Sequence, residues 1–257
     1  MVESRAAAYA VVRGIPDTYP MGQRPPDSTD EIDVALARRQ HDAYCRALEE
    51  AGLSLILIPP DARFPDCCFV EDTSIIAGDI AIITVMGAPS RVGEEAAVRE
   101  VLGGHMAVRD ISAPATIDGG DVLVLEDRIF IGLGARTNRA AVEQVGKLAG
   151  PGFRVTPVAL EGVLHLKSAC TYVGRRHLLI RRGHFDAGIF SGYKLIDVPE
   201  EEAYAANCLS LGRSVLVSAG YPGTTRAVED AGFEVVEMEM SEFRKVQGSL
   251  TCLSKIF

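Results

Sequence analysis

The sequence predicts an α/β fold in which repeated units are set radially around one axis. Two observations carry this prediction. Paired apolar runs joined by two-residue turns recur along the chain, as "TSIIAGDIAIIT", "DVLVLEDRIFIGL", "ACTYVGRRHLLI" and "CLSLGRSVLVSAG". Short runs broken at such pairs read as β-hairpins. In addition, a polar residue stands just before each first run, at Asp72, Asp118, His165, Asn207 and Cys252, spaced 46, 47, 42 and 45 residues apart. A period of this size marks units that stack or turn about an axis. The early run "AYAVVRG" pairs with the run around Cys252 and closes a ring, which brings the five polar positions to one mouth.

The elements follow in chain order. A helix is expected over Thr29–Ala51, capped by Ser28 or Thr29 ahead of acidic residues. The first hairpin turns at Gly78-Asp79 and leads to a helix over Glu94–Leu102. The second turns at Asp127-Arg128 and leads to a helix over Asn138–Leu148. The third turns at Arg175-Arg176, with a helix over Glu200–Ala206. The fourth turns at Gly212-Arg213, with a helix over Thr224–Ala231 before the closing strand. The whole chain, 1–257, is expected to form a single catalytic domain of five ββαβ-like repeats.

Composition narrows the function. A net charge of −9 without any basic cluster excludes a nucleic-acid partner and suits a cationic one. The longest apolar stretch, "IAIITVMGAP", is too short to span a bilayer, so no membrane partner is expected. "MVESRAAAYAVVRG" carries Glu3 and no sustained apolar core, which predicts no signal peptide and a cytoplasmic location. The six cysteines form no CxxC pair and read as free thiols. Cys252 and His165 alone do not make a dedicated metal site.

A cysteine and a histidine at one mouth point to nucleophilic catalysis, with the imidazole moving protons. Two carboxylates beside them would repel an oxyanion but pair well with a planar cation such as a guanidinium. A bound cation would also favour thiolate over thiol. Asp121 and Asn207 read as structural, and Gly119 and Gly120 as suppliers of unusual backbone angles. Glu71 and Asp72, adjacent in an extended segment, should face opposite ways.

The motifs "FPDCCFVEDT", "GAPSR", "DGGDVL", "GLGARTN", "HLKSACT", "AANCL" and "VQGSLTCLS", with the leading "VVRGIPDTYP", resemble the dimethylarginine dimethylaminohydrolase family of the guanidine-modifying (amidinotransferase) superfamily. The resemblance runs in order along nearly the whole chain. It implies a five-bladed α/β propeller of pseudo-fivefold symmetry (pentein type), which agrees with the repeat. It also implies hydrolysis of Nω-methylated L-arginine to L-citrulline and methylamine or dimethylamine, with no metal and no cofactor. Carried over by motif, Cys252 is the nucleophile that forms a covalent thiouronium, and His165 protonates the departing amine and then activates water. Asp72 and Asp118 hold the guanidinium, with Glu71 supporting them. Arg91 and Arg136 pair with the substrate carboxylate, and Asp66 takes the α-ammonium. Ile15 to Gly22 resembles a lid whose carbonyl near Tyr19 reaches the α-amino group. Some members carry Glu at Asp118 and an aliphatic residue at Tyr19.

The partner expected is therefore a small cationic amino acid, and the reading allows a homodimer. Competing readings are an arginine or agmatine deiminase, a cysteine peptidase or amidase, and a non-catalytic arginine-binding protein. The chain has no room for the helical insertion usual in arginine deiminases. Agmatine would leave Arg91 and Arg136 idle, the acids disfavour an amide substrate, and a mere binder would not need Cys252 with His165.

Overall fold

The hairpin turns fold the chain back on itself, and each resulting pair of strands captures a third strand. A computed structural model describes residues 8–25 and 28–257. Residues 1–7, on which the leader-peptide reading rests, lie outside the described residues. The elements run β1 (Tyr9–Arg13), α1 (Val34–Glu50), β2 (Ser54–Ile58), β3 (Ser74–Ala77), β4 (Ile80–Ile83), α2 (Glu95–Gly103), β5 (Ala107–Asp110), β6 (Val122–Leu125), β7 (Arg128–Leu133), α3 (Arg139–Ala149) and β8 (Arg154–Ala159). They continue with β9 (Cys170–Gly174), β10 (His177–Ile180), β11 (Lys194–Asp197), β12 (Leu209–Leu211), β13 (Ser214–Ser218), α4 (Pro222–Asp230), β14 (Glu234–Met238), α5 (Ser241–Arg244) and β15 (Ser254–Ile256).

These strands form five three-stranded sheets among the described residues, ordered β15-β1-β2, β3-β4-β5, β6-β7-β8, β9-β10-β11 and β12-β13-β14. In each sheet the middle strand is antiparallel to one neighbour and parallel to the other. A tight turn serves the antiparallel pair in four blades, the fifth pairing the first and last strands, whereas a parallel pair needs a crossover, which a helix supplies in four of the five blades. The ring closes as expected: Ala10 faces Ile256, and Val12 faces Ser254.

Packing between blades follows from the sequence pattern. Ala141, Val145 and Ala149 recur every fourth residue on α3 and are buried. They meet Ile75 and Ile82 of one blade and Ile129 and Ile131 of the next. Each fully buried Ile contributes roughly 1.5–3 kcal/mol of transfer free energy. The helix therefore joins two sheets that are not hydrogen-bonded to each other.

Four local expectations are corrected. The first helix begins at Val34 because the Asp33 carboxylate, not Ser28 or Thr29, accepts the Leu36 N–H at 2.9 Å. The second hairpin turns at Glu126-Asp127, where Glu126 takes φ +56°. The β10–β11 crossover has no α-helix; a short 3-10 turn over Ala187–Phe190 replaces it and shortens that repeat. Glu200–Ala206 is 3-10 helical and kinked at Glu202. There the Glu202 carboxylate leaves its own turn to cap α4, accepting from the Gly223 N–H at 2.9 Å and the Thr224 N–H at 2.6 Å.

Candidate active site

Each inner strand (β3, β6, β9, β12, β15) is entered through a 3-10 turn, and these turns carry the chemistry. Asp72 lies in the turn Val70–Thr73, and Cys252 lies in Leu250–Leu253. Asp118 and His165 are N-cap residues of Gly119–Asp121 and Leu166–Ser168, and Asn207 is the C-cap of Glu200–Ala206. Asp72, Asn207 and Cys252 thus stand two residues before their strands. Asp118 and His165 stand further back, at the entrances of their turns.

The turns interlock. Gly120 N–H donates to Asp72 Oδ1 at 2.8 Å. His165 Nε2 lies 3.0 Å from Asp118 Oδ2, whose other oxygen accepts the Gly87 N–H at 2.8 Å. Buried Asp121 accepts from Thr137 Oγ1 at 2.6 Å and from the Leu166 N–H at 3.0 Å, which ties the Asp118 turn to the His165 turn. Asn207 donates to Thr251 Oγ1 at 2.8 Å and accepts the Thr251 N–H at 3.0 Å, which fixes the residue before Cys252. Asp121 and Asn207 are structural, as the sequence suggested.

Gly119 and Gly120 are needed for proximity, not for unusual φ. A Cβ on Gly119 would lie 2.0 Å from the Glu71 carbonyl oxygen, and one on Gly120 would lie 2.9 Å from His165 Nδ1. Any side chain there would push the turns apart.

Asp66, Asp72, Arg91, Arg136, His165 and Cys252 line one cavity, with Gln23 and Gly248 at its edge. Its free volume of about 30 Å³ has room for water alone. Neither arginine is a solvated surface charge. Arg91 is buried; it donates to Asp72 Oδ2 at 2.6 Å, to Glu94 Oε2 at 2.8 and 3.0 Å, and to the Phe69 carbonyl at 3.1 Å. Arg136 donates to Asp118 Oδ2 at 3.2 Å and to Gln23 Oε1.

Charge and burial set the proton states. Burial alone would push the Cys252 thiol up, and the neighbouring carboxylates of Asp72 and Glu71 add to this, so its pKa rises to about 12. Burial opposes charge on His165, yet Asp72, Asp118 and Asp121 outweigh it and raise its pKa above the usual value. The acids around His165 therefore favour its imidazolium form. Burial likewise opposes ionisation of Asp72, but His165 and Arg91 hold it well below the carboxylate range.

Three predicted residues do not line this cavity: Asp118 is fully buried and reaches it only through His165 and Arg136, and Glu71 and Tyr19 point elsewhere. Glu71 faces the opposite way from Asp72 and pairs with Lys167 and, at 2.7 Å, with Lys255. The Tyr19 ring is fully buried against Phe69 and Phe243, with centroids 6.2 and 6.0 Å away. Its carbonyl accepts the Gly22 N–H at 3.1 Å within the turn. Met21, 76% exposed, is the outward residue of that segment.

Sequence reasoning missed Gln23 and Glu94. Gln23 N–H donates to both Asp66 oxygens at 3.1 and 3.2 Å, and its amide bridges Ser90 Oγ (3.0 Å) and Arg136. It fastens the loop across the cavity mouth. Glu94 anchors Arg91 from behind; an acid three residues after an arginine was the available signal. Asp72, Asp118 and His165 each place one donor atom within 4.8 Å of the others, a spacing that could bind a metal ion. The adjacent guanidinium groups make this cluster better suited to exchange of organic cations.

Comparisons with known proteins agree with this geometry. A family model described as N,N dimethylarginine dimethylhydrolase, eukaryotic, matches residues 21–255. The N(G),N(G)-dimethylarginine dimethylaminohydrolase of Pseudomonas aeruginosa is 39% identical over 228 residues, which cover 88% of this chain and 90% of that one. A Pseudomonas aeruginosa structure, a cysteine-to-serine mutant in complex with citrulline, superposes with a TM-score of 0.94 at 35% identity, covering 98% of this chain and 100% of that one. A dimethylarginine dimethylaminohydrolase in a histidine-to-glycine form, as an adduct with S-methyl-L-thiocitrulline, gives the same TM-score of 0.94 at 35% identity and the same coverage.

Proposed function

Because this chain belongs to the N,N-dimethylarginine dimethylhydrolase family, we propose how its own residues hydrolyse Nω-methylated L-arginine to L-citrulline and an amine. The observation that carries the reading is the convergence of Asp72, His165 and Cys252 on one cavity that also holds Arg91 and Arg136, with buried Asp118 bonded to its His165 and Arg136. The whole ring acts as one catalytic unit, since its turns come from different blades.

Substrate binding is an exchange of ion pairs. Asp72 and Asp118 already hold guanidinium groups, those of Arg91 and Arg136. The substrate guanidinium takes over these carboxylates, and the freed Arg–NH edges turn to the substrate carboxylate. Asp66 receives the α-ammonium in place of the Gln23 N–H. Charge-assisted bonds are lost and remade in equal kind, so binding need not strand a buried charge.

The arriving cation offsets the acids that help to raise the Cys252 pKa, and the thiol gives up its proton to solvent as the substrate enters. Sγ attacks the guanidinium carbon and forms a C–S bond. The C–N bond to the methylated nitrogen breaks, and His165, acting as the imidazolium that its acidic neighbours favour, gives that nitrogen its proton. The amine leaves and a thiouronium remains. Neutral His165 then takes a proton from water as its oxygen attacks the same carbon. The C–S bond breaks with the electron pair on sulfur, the hydroxyl proton of the collapsing adduct passes to that sulfur and restores the thiol, and citrulline departs.

Citrulline release from asymmetric dimethylarginine, monomethylarginine, arginine and agmatine, measured side by side, tests this reading. Release from the methylated substrates with little from arginine is expected. Faster turnover of arginine or agmatine would overturn the substrate assignment while leaving the cysteine chemistry in place.

A further inference from the structure

A second, larger cavity lies behind the catalytic turns, along the ring axis, with a free volume of about 250 Å³. The inner strands wall it, and half-buried Ile76, Val124, Tyr172 and Ile256 make its sides largely apolar. Its inner end is charged. There Glu71 faces two ammonium groups, Lys167 and Lys255, both within 2.7 Å or closer of its carboxylate. One carboxylate against two lysines, Lys255 buried and Lys167 half-buried, leaves a unit of positive charge uncompensated.

Donors are also in excess at this end. Lys167 gives a second bond to the Gly119 carbonyl at 3.1 Å. Lys255 has three N–H bonds and, among the described residues, one acceptor, Glu71. Ser74 lines the same cavity, is fully buried, and its hydroxyl has no hydrogen-bond partner. Water could satisfy the donors but not the charge. An uncompensated ammonium in this position is costly, and burial already pulls Lys255 towards its neutral form against the pull of Glu71.

We propose that the axial cavity is a binding site for a small organic monocarboxylate. The carboxylate sits beside Lys255 and Lys167 with the Ser74 hydroxyl as a further donor, and a short alkyl tail lies against Ile76, Val124 and Tyr172. A monoanion is specified because a single positive charge is uncompensated. A tail is specified because apolar walls reward its burial. The site is separate from the catalytic cavity, sharing with it the turns but no side-chain contact with substrate.

The probe is radiolabelled butyrate in equilibrium dialysis against the full chain at constant ionic strength. We expect saturable binding of one butyrate per chain, and acetate weaker by roughly fourfold for each methylene removed. Lys255→Met, which leaves Glu71 and Lys167 paired one to one, should weaken binding at least tenfold. Arg136→Ala, which removes a carboxylate-binding group of the other cavity, should leave it unchanged. Val124→Phe alters no charge and narrows the channel, so it should block butyrate even if Lys255→Met fails to fold. No saturable binding, binding lost with Arg136→Ala but kept with Lys255→Met, or full binding to Val124→Phe would each overturn the proposal. Equal affinity for acetate and butyrate would overturn the assignment of the apolar tail.

Discussion

Asp72 and Glu71 are neighbours in one turn, and they enter cavities of opposite character. Asp72 faces a side where it and Asp66 meet two arginines, one of which also pairs with buried Asp118. Glu71 faces a side where one acid meets two lysines. The same 3-10 turns therefore separate an acid-rich pocket from a base-rich one, at a distance of one residue. On the acid side burial, reinforced by the charge of Asp72, raises the Cys252 thiol pKa. On the basic side burial pulls an ammonium towards neutrality. The lesson is that local charge balance, not the ring itself, decides which face does chemistry.

The largest effect expected is on the acid side. Cys252→Ser should lower kcat by at least about a thousandfold, because a serine hydroxyl without a strong base is a far poorer nucleophile than a thiolate. Trapping of methylarginine by the variant, seen in equilibrium dialysis, should persist. Appreciable turnover by the serine form would remove Cys252 from its role.

The adjacent acids give the sharpest test of the comparison. Asp72→Asn leaves Arg91 with Glu94 alone and removes a guanidinium partner, so kcat/KM should fall by about a hundredfold or more. Glu71→Gln instead strands buried Lys255 and strips half-buried Lys167 of its carboxylate, and its main cost should be stability, on the order of 3–5 kcal/mol. Denaturant midpoints and steady-state kinetics on both variants would separate the two outcomes. Equal kinetic losses would dissolve the division between the faces.

Arg136→Ala should raise KM for methylarginine by about ten- to a hundredfold, the loss of one charge-assisted pair. Agmatine, which has no carboxylate, should be nearly unaffected in the same assay. Parallel losses on both substrates would show that Arg136 does not read a carboxylate.

Proton linkage gives a smaller, graded signal. The Cys252 pKa is raised from 9.0 to about 12, so the folded state holds this proton more tightly than the unfolded chain does. Its contribution to stability is complete below pH 9.0 and is lost as pH rises towards 12. The raised pKa of His165 works with the same sign, contributing below its usual 6.5 and fading above it. The thiolate absorbance difference between wild type and Cys252→Ser should therefore develop well above pH 9.0, and Asp72→Asn should shift it down. An unshifted thiol in the wild type would break the link between acid lining and proton state.

Much of this was legible in the sequence for a physical reason. Turn pairs and apolar runs are local signals, so the hairpins and the ring closure at Ala10 and Ile256 could be read directly. The recurring polar slot gave Asp72, Asp118, His165 and Cys252, although two of them sit at N-caps further from their strands. What escaped depends on long-range contact. Nothing near Glu71 in the chain signals Lys255, and nothing near Tyr19 shows that its ring turns into the core against Phe243. Glu202 reads as a helix residue until α4, whose N-terminus it caps, is placed beside it.

Gln23 is the residue through which the catalytic face meets solvent, and it sets the smallest prediction. Its backbone N–H holds Asp66, and its amide holds Ser90 and Arg136, so one residue ties the loop to both ends of the cavity. A cavity of about 30 Å³ admits an amino acid only when these bonds open. Gln23→Ala removes the two side-chain bonds but keeps the N–H to Asp66. Each is an exposed or half-buried bond worth about 1 kcal/mol, so opening should become easier by a few-fold to tenfold and closure less complete. Stopped-flow binding of methylarginine to the Cys252→Ser background should show faster association and faster release with little change in affinity. Changed affinity at an unchanged association rate would instead make Gln23 a direct substrate contact, and the mouth of the acid side would then belong to recognition, not to access.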